Sequence, residues 1–174
     1  MSAEEVDRTL LRLAHEILEK NNGPEGLALA GIRRRGVPLA ERLASRIEQI
    51  EGKKLPVGIL DITLYRDDLS QVAEQPVART TEVGFPVDHR TIVLVDDVLY
   101  TGRTVRAAMD VLFDFGRPKK VQLCVLIDRG HRELPIEATY VGRFIQTTDR
   151  EIIEVKLQEI DNQEKVLLVE RVDE

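Results

Sequence analysis

The stretch Thr91-Ile-Val-Leu-Val-Asp96-Asp97-Val-Leu-Tyr100-Thr101-Gly102-Arg103-Thr104 decides the fold. Its apolar, β-branched opening predicts a buried strand over residues 91–95, with Asp96 and Asp97 standing at the strand's end. The hydroxyl-bearing turn centred on Gly102 then opens an amphipathic helix, expected from about Thr101 to Phe115 and stopped by Gly116 and Pro118. Strand, acidic pair, glycine turn and helix in that order suit a phosphorylated ribose. Vicinal sugar hydroxyls want paired acceptors. A 5′-phosphate wants successive backbone N–H groups, hydroxyl donors and the positive end of a helix dipole. A bare Asp-Asp reads as a solvated loop and a bare Thr-Gly as a helix start; their order in one segment carries the reading.

Outward from this segment the pattern alternates. Residues 4–20 repeat apolar side chains at three-to-four spacing, a helix ended by Asn21-Asn22-Gly23-Pro24. A short apolar strand follows over 27–32, then a second amphipathic helix over 38–50 that stops at Gly52, and a strand over 56–65. Residues 66–88 are polar, contain Pro76 and Pro86 and have little periodicity; a loop of that length is disordered or functional. Beyond the decisive segment a strand is expected over 121–127. Strands alternating with helices imply an α/β fold, a parallel sheet with ligands at the carboxyl ends of its strands. After Gly130 three further strands, 138–145, 152–160 and 166–172, are expected to form an antiparallel appendage.

A chain of 174 residues is most simply one domain, able to bury a core without metal or disulfide support. Its single Cys124 lies in the apolar run 121–127, the setting of a buried structural thiol rather than a nucleophile. With no signal-peptide core and no apolar run of bilayer length, a soluble cytoplasmic protein without membrane contact is expected. The net charge of −6 argues against a generic nucleic-acid coat. It leaves room for local basic faces: Arg33, Arg34 and Arg35 are consecutive, while Arg129, Arg132, Arg143 and Arg150 recur in one later region. From the residues alone the first group is either an anion-binding loop or a solvated surface cluster, and the second either a binding face or surface ion pairs.

The decisive segment resembles the phosphoribosyl pyrophosphate (PRPP) motif of type I phosphoribosyltransferases. Three blocks sharpen the resemblance to the PyrR family, bifunctional pyrimidine operon regulators and uracil phosphoribosyltransferases. They are Asp61-Ile-Thr-Leu-Tyr-Arg-Asp-Asp-Leu-Ser70, Asp97-Val-Leu-Tyr-Thr-Gly-Arg-Thr-Val-Arg106 and Asp128-Arg-Gly-His-Arg-Glu-Leu-Pro-Ile136. The likeness runs over nearly the whole chain, including Leu13-Ala-His-Glu16 and Arg42-Leu-Ala-Ser-Arg-Ile-Glu-Gln-Ile-Glu-Gly52.

The resemblance implies a type I phosphoribosyltransferase fold: a mainly parallel five-stranded sheet flanked by helices, a small hood, antiparallel C-terminal strands and a flexible flap over about 66–88. It implies transfer of 5-phosphoribose from PRPP to uracil, giving UMP and pyrophosphate with Mg²⁺, and binding of a pyrimidine-operon leader mRNA that depends on UMP or UTP. A homodimer or tetramer is the implied assembly. Two other readings stand beside it: a nucleotide-sensing regulator with little catalysis, and a salvage enzyme without RNA binding.

By this likeness Asp96 and Asp97 are the catalytic pair, accepting from the ribose hydroxyls. Val95, Val98, Leu99, Tyr100, Thr101, Gly102, Arg103 and Thr104 form the PRPP and UMP site. Arg33, Arg34 and Arg35 make the pyrophosphate loop, which Arg66 and Arg79 of the flap could join. No protein ligand for Mg²⁺ is assigned, because this ion keeps water and substrate oxygens. Purine-using relatives carry a catalytic Asp three residues past Asp97, where this chain has Tyr100; that favours uracil. Asp128, Arg129, Ile152 and Ile153 fall where such folds form the base pocket, or where strand ends simply pack. Arg12, His131, Arg132 and Arg143 match the RNA face by position. Glu137 stands where a basic residue is expected there, and Arg34 where Thr is common.

Overall fold

The computed structural model describes residues 1–65 and 81–172. In chain order the elements are α1 (Ala3–Lys20), β1 (Leu27–Ile32), α2 (Gly36–Glu51), β2 (Val57–Leu60), β3 (Thr91–Leu99), α3 (Arg103–Phe113), β4 (Lys120–Asp128), β5 (Tyr140–Phe144), β6 (Glu151–Lys156), α4 (Gln158–Asp161) and β7 (Lys165–Glu170). The first five strands form one sheet in the order β2-β1-β3-β4-β5, every neighbouring pair parallel. The last two form a separate antiparallel pair.

Strand alternation splits the core into two faces. Leu27, Leu29, Val93, Val95, Cys124 and Leu126 pack against α1 and α2. Ala28, Ala30, Ile92, Leu94, Leu123 and Val125 face α3. Both faces are covered, so the strands read as continuous apolar runs, as a parallel sheet requires. Ile153, Val155, Leu157 and Val166 extend the first core into the C-terminal hairpin. Among the described residues no helix is long and apolar enough to cross a membrane.

Four elements differ from the sequence-based expectation. β3 does not end at Val95: its ladder with β4 stays in register from Thr91↔Lys120 to Leu99↔Asp128, and this pairing carries the strand through both carboxylates. β2 stops at Leu60 rather than running to Tyr65. The Asp61 carboxylate accepts from the Thr63 N–H at 3.0 Å and from its hydroxyl, a side-chain turn that competes with the sheet ladder. β5 is no part of an antiparallel appendage; it pairs parallel with β4 as the fifth strand of the main sheet. Gly142 permits this packing, since a Cβ there would collide with the Leu126 carbonyl and lie 2.8 Å from Thr9 Cγ2 of α1. β6 ends at Lys156, not Ile160, because the chain turns into α4 with the Leu157 N–H held by the Asp161 carboxylate.

Of the expected flap, residues 66–80 with Arg66 and Arg79 lie outside the described residues. The end of that segment is bound to the sheet edge: Glu82 and Ile59 exchange two backbone hydrogen bonds of 2.8 Å, and Val87 is buried.

Candidate active site

The sheet order reverses between β1 and β3. From β1 the chain moves through α2 to β2 on one side, and from β3 through α3 to β4 on the other. A crevice forms where neighbouring connections diverge in this way. There the loop after β1 faces the acidic end of β3 across a cleft of about 380 Å³, lined by Arg33, Arg34, Arg35, Asp61, Thr63, Asp96, Asp97, Val98 and Thr104 among others. A cationic wall thus stands opposite an anionic one.

The cationic loop reaches the sheet because of two glycines. A Cβ on Gly31 would lie 2.6 Å from the Gly36 carbonyl oxygen, and one on Gly36 would strike the Val95 carbonyl. Both contacts are with backbone, which cannot yield, so only Gly fits. Arg33 and Arg34, joined by a cis peptide bond, are exposed beside the cleft. Arg35 is engaged in a bidentate ion pair with Asp161 of α4, Nη2 to Oδ1 at 2.7 Å and Nε to Oδ2 at 3.2 Å.

On the anionic wall Asp96 is buried and Asp97 half-buried. The Asp97 N–H donates to Asp96 Oδ1 at 2.8 Å, and the Val98 N–H to Asp97 Oδ1 at 2.9 Å, which fixes both carboxylates along the strand. Burial first, and then the neighbouring Asp97 charge, push the Asp96 carboxyl well above the usual carboxylate range. Two adjacent carboxylates in this state favour hydroxyl donors or a cation. Asp61 and Thr63, just past the end of β2, join the same cleft, although neither was expected at the site from the sequence. Their position just past an apolar strand is the signal that would have marked them.

The turn 101–104 meets the cleft through Thr104. α3 starts on Gly102, at φ 93, with no side-chain cap and no acidic residue in its first turn. The Arg103 N–H donates to the Thr101 hydroxyl at 3.3 Å, and the positive end of the helix dipole favours an anion here. The loop after Gly130 holds this turn from behind: the Glu133 N–H donates to the Thr101 carbonyl at 2.9 Å, and Ile136 and Leu134 lie against Gly102. Val95 and Leu99 are core residues, each 1% exposed.

The expected base-pocket residues do not line the cleft: Asp128 and Arg129 stand at the end of β4, and Ile152 and Ile153 on β6. Arg129, 6% exposed, donates to the Thr147 hydroxyl and the Glu151 carbonyl, and its guanidinium lies 3.9 Å from the centre of the Tyr100 ring. Tyr100 also meets His131 edge-on at 5.9 Å. Asp128 is buried and receives Arg132 at 2.7 Å. Ile153 packs in the core, whereas Ile152 is half-buried.

The expected RNA-face residues fall in two places. Arg12 of α1 pairs with Glu16 at 2.8 Å and reaches the carbonyls of β5, where Arg143 pairs with Glu5 at 3.2 Å. Phe144, next along β5, is 74% exposed, a residue the sequence analysis did not single out. Arg132 is turned inward, donating to the Ile136 and Tyr100 carbonyls as well as to Asp128. His131 Nε2 lies 2.6 Å from the Thr147 carbonyl. Glu137 is exposed.

Comparison with known proteins adds the following. The phosphoribosyl transferase domain family matches residues 2–160. A protein of Pelotomaculum thermopropionicum described as "Bifunctional protein PyrR" is 63% identical over 168 residues, covering 97% of this chain and 93% of that relative. One of the same description from Thermus thermophilus is 56% identical, covering 98% and 94%. Among solved structures, a hypoxanthine phosphoribosyltransferase from Trypanosoma cruzi superposes with a TM-score of 0.74 at 17% identity, covering 97% of this chain and 92% of that one. One from Staphylococcus aureus gives 0.68 at 21%, covering 92% and 85%. At such identities these structures speak for the fold alone.

Proposed function

Because this chain belongs to the phosphoribosyl transferase domain family and, within it, to the bifunctional PyrR proteins, we propose that it transfers 5-phosphoribose from PRPP to uracil and regulates pyrimidine genes through leader mRNA. The observation that carries the catalytic half is the cleft with Arg33 and Arg34 on one wall and Asp96 and Asp97 on the other. Transfer passes through a ribose of oxocarbenium character as pyrophosphate departs. The arginines neutralise the leaving group, for which a guanidinium is suited by its fork of donors. Asp96 and Asp97 accept from the ribose 2′- and 3′-hydroxyls, and their charge favours the developing cation. The 5′-phosphate sits at the start of α3, on the N–H groups after Gly102 and the hydroxyls of Thr101 and Thr104.

Mg²⁺ supplies charge neutralisation at the pyrophosphate. Among the described residues no three His, Cys, Asp or Glu side chains are grouped to hold a metal, while the raised carboxyl of Asp96 beside Asp97 is a setting that a cation relieves. Asp96 and Asp97 would therefore hold the ion together with oxygens of the donor. We assign residues 1–174 to one domain. A cytoplasmic homodimer, or a tetramer of such dimers, completes the reading.

Uracil is the base because Tyr100, stacked on Arg129, stands where purine-using relatives place a carboxylate. Uracil N1 is acidic enough to lose its proton to a weaker acceptor. UMP should form from PRPP and uracil, with kcat/KM exceeding that for hypoxanthine or guanine by at least roughly a hundredfold. Comparable values in a competition assay would overturn the substrate assignment.

For the regulatory half, Arg12, Arg143 and the exposed ring of Phe144 lie along α1 and β5, offering phosphate contacts and a surface for an unpaired base. His131 and Arg132 lie apart from them, in the loop that backs the phosphate turn. A nucleotide in the cleft and an RNA on this loop bias the same segment, so UMP should strengthen RNA binding, and RNA should strengthen UMP binding by the same factor. Arg143→Gln and Phe144→Ala should each weaken leader-RNA affinity about tenfold, a loss expected of one phosphate contact or one stacked base. Only the first should reduce the salt slope. Filter binding with and without UMP at two salt concentrations tests this, and wild-type binding indifferent to UMP would remove the regulatory half.

A further inference from the structure

The Arg35–Asp161 pair joins the loop after β1 to the C-terminal hairpin, and the transfer chemistry described above assigns nothing to Asp161. Its two bonds are charge-assisted and bidentate, and the side chains are only 26% and 14% exposed. Arg42 of α2 makes a second tie, pairing with Glu159 and with Glu164 on either side of the hairpin's turn. Arg35 directly follows the two arginines that face the cleft, so a guanidinium clamped here fixes the backbone that presents them. Resting on the phosphoribosyl-transfer reading, we infer that Asp161 is a positioning residue: through Arg35 it holds the 33–35 loop against the hairpin in the shape that receives pyrophosphate.

The hairpin is itself secured by other means. Leu157, Val155, Ile153 and Val166 are buried in the main core, and the Val166 N–H and carbonyl both bond to Met1, at 2.9 and 2.7 Å. Removing the Asp161 charge should therefore release the loop rather than the hairpin. A loop that is competent only part of the time binds with an affinity reduced by that fraction. Arg35, with help from the Leu157 N–H, holds the Asp161 carboxyl down at about 2. Because this value is lowered on folding, the pair's stabilisation is present above the ordinary value of 3.8 and is lost only as pH falls through about 2. The tie is intact at any ordinary assay pH.

The test uses the full chain. Asp161→Asn keeps an acceptor for the Leu157 N–H but loses the charge, and Arg35→Gln breaks the pair from the other side. Each should raise the PRPP Kd by calorimetry, and the PRPP KM, roughly fivefold to tenfold; in Asp161→Asn, kcat and the uracil KM should stay within about twofold of wild type. The double variant should be no worse than either single, and Asp161→Glu should recover part of the loss. PRPP affinities equal to wild type in both singles would overturn the inference. So would multiplicative losses in the double variant, or a kcat that falls in step with Tm, which marks a merely structural role. Wild type that bound PRPP yet made no UMP from uracil would fault the substrate reading and leave the Kd comparison to decide the role of Asp161.

Discussion

Replacing Asp96 and Asp97 together by Asn should lower uracil turnover at least about a hundredfold while the fold persists. Both carboxylates lie within β3, whose ladder to β4 continues to Leu99, so the backbone that holds them does not depend on their charge. Asn retains a carbonyl oxygen at Oδ1, the atom that accepts from the Asp97 and Val98 N–H groups, and the local hydrogen bonds survive. What is lost is negative charge opposite the arginines, which the proposed transfer uses to favour a cationic ribose. The substitution also removes a buried carboxyl whose ionised form is disfavoured by burial and by its neighbour, so Tm should hold or rise. Steady-state kinetics with PRPP and uracil, paired with thermal unfolding, provide the check. A kcat near wild type in the double variant would remove the acidic pair from the site.

Gly36→Ala should damage the enzyme from a different direction. Its methyl group would strike the Val95 carbonyl and sit 3.3 Å from Asp96 Cα, and neither backbone atom can rotate away. The first turn of α2 must lift off β3, taking Arg33, Arg34 and Arg35 with it. Overpacking of this kind costs about 1–3 kcal/mol. Tm should fall by roughly several degrees for a domain of this size. A displacement of the loop by about 1 Å should cost on the order of a hundredfold in kcat/KM for PRPP. Gly84→Ala is the stability control, since nothing lies within 4 Å of its added methyl and Tm should stay put. A Gly36→Ala enzyme with wild-type kinetics would mean that the loop's seat on β3 does not matter to transfer.

Much of this site was legible from the chain because its signals are local. An apolar β-branched run makes a strand wherever it is buried on both faces, and Asp96, Asp97 and Gly102 keep their spacing whatever surrounds them. The same holds for β1, read at its observed bounds, and for α1, read within one residue of its start. Errors arose where a distant contact decided the outcome. Residues 140–144 carry no local mark of the sheet they join; they pair parallel with β4 inside the main sheet, with Thr9 of α1 packed close to Gly142.

The three consecutive arginines divide the two kinds of information most clearly. The chain's local pattern already marks a cationic loop after β1, an acidic pair and glycine turn in succession on β3 and α3, and the carboxyl ends of parallel strands as the place for both. Which partner each side chain meets depends on the packed layers. All three line the cleft, but Arg35 is also clamped by Asp161, a residue more than a hundred positions away. Arg132, similar in sequence to any surface arginine, is folded onto Asp128 and the carbonyls of Ile136 and Tyr100. The physical reason is that backbone propensity and hydrophobic periodicity act over a few residues, whereas the partner of a long cationic side chain is whichever acceptor the packed layers bring within about 3 Å.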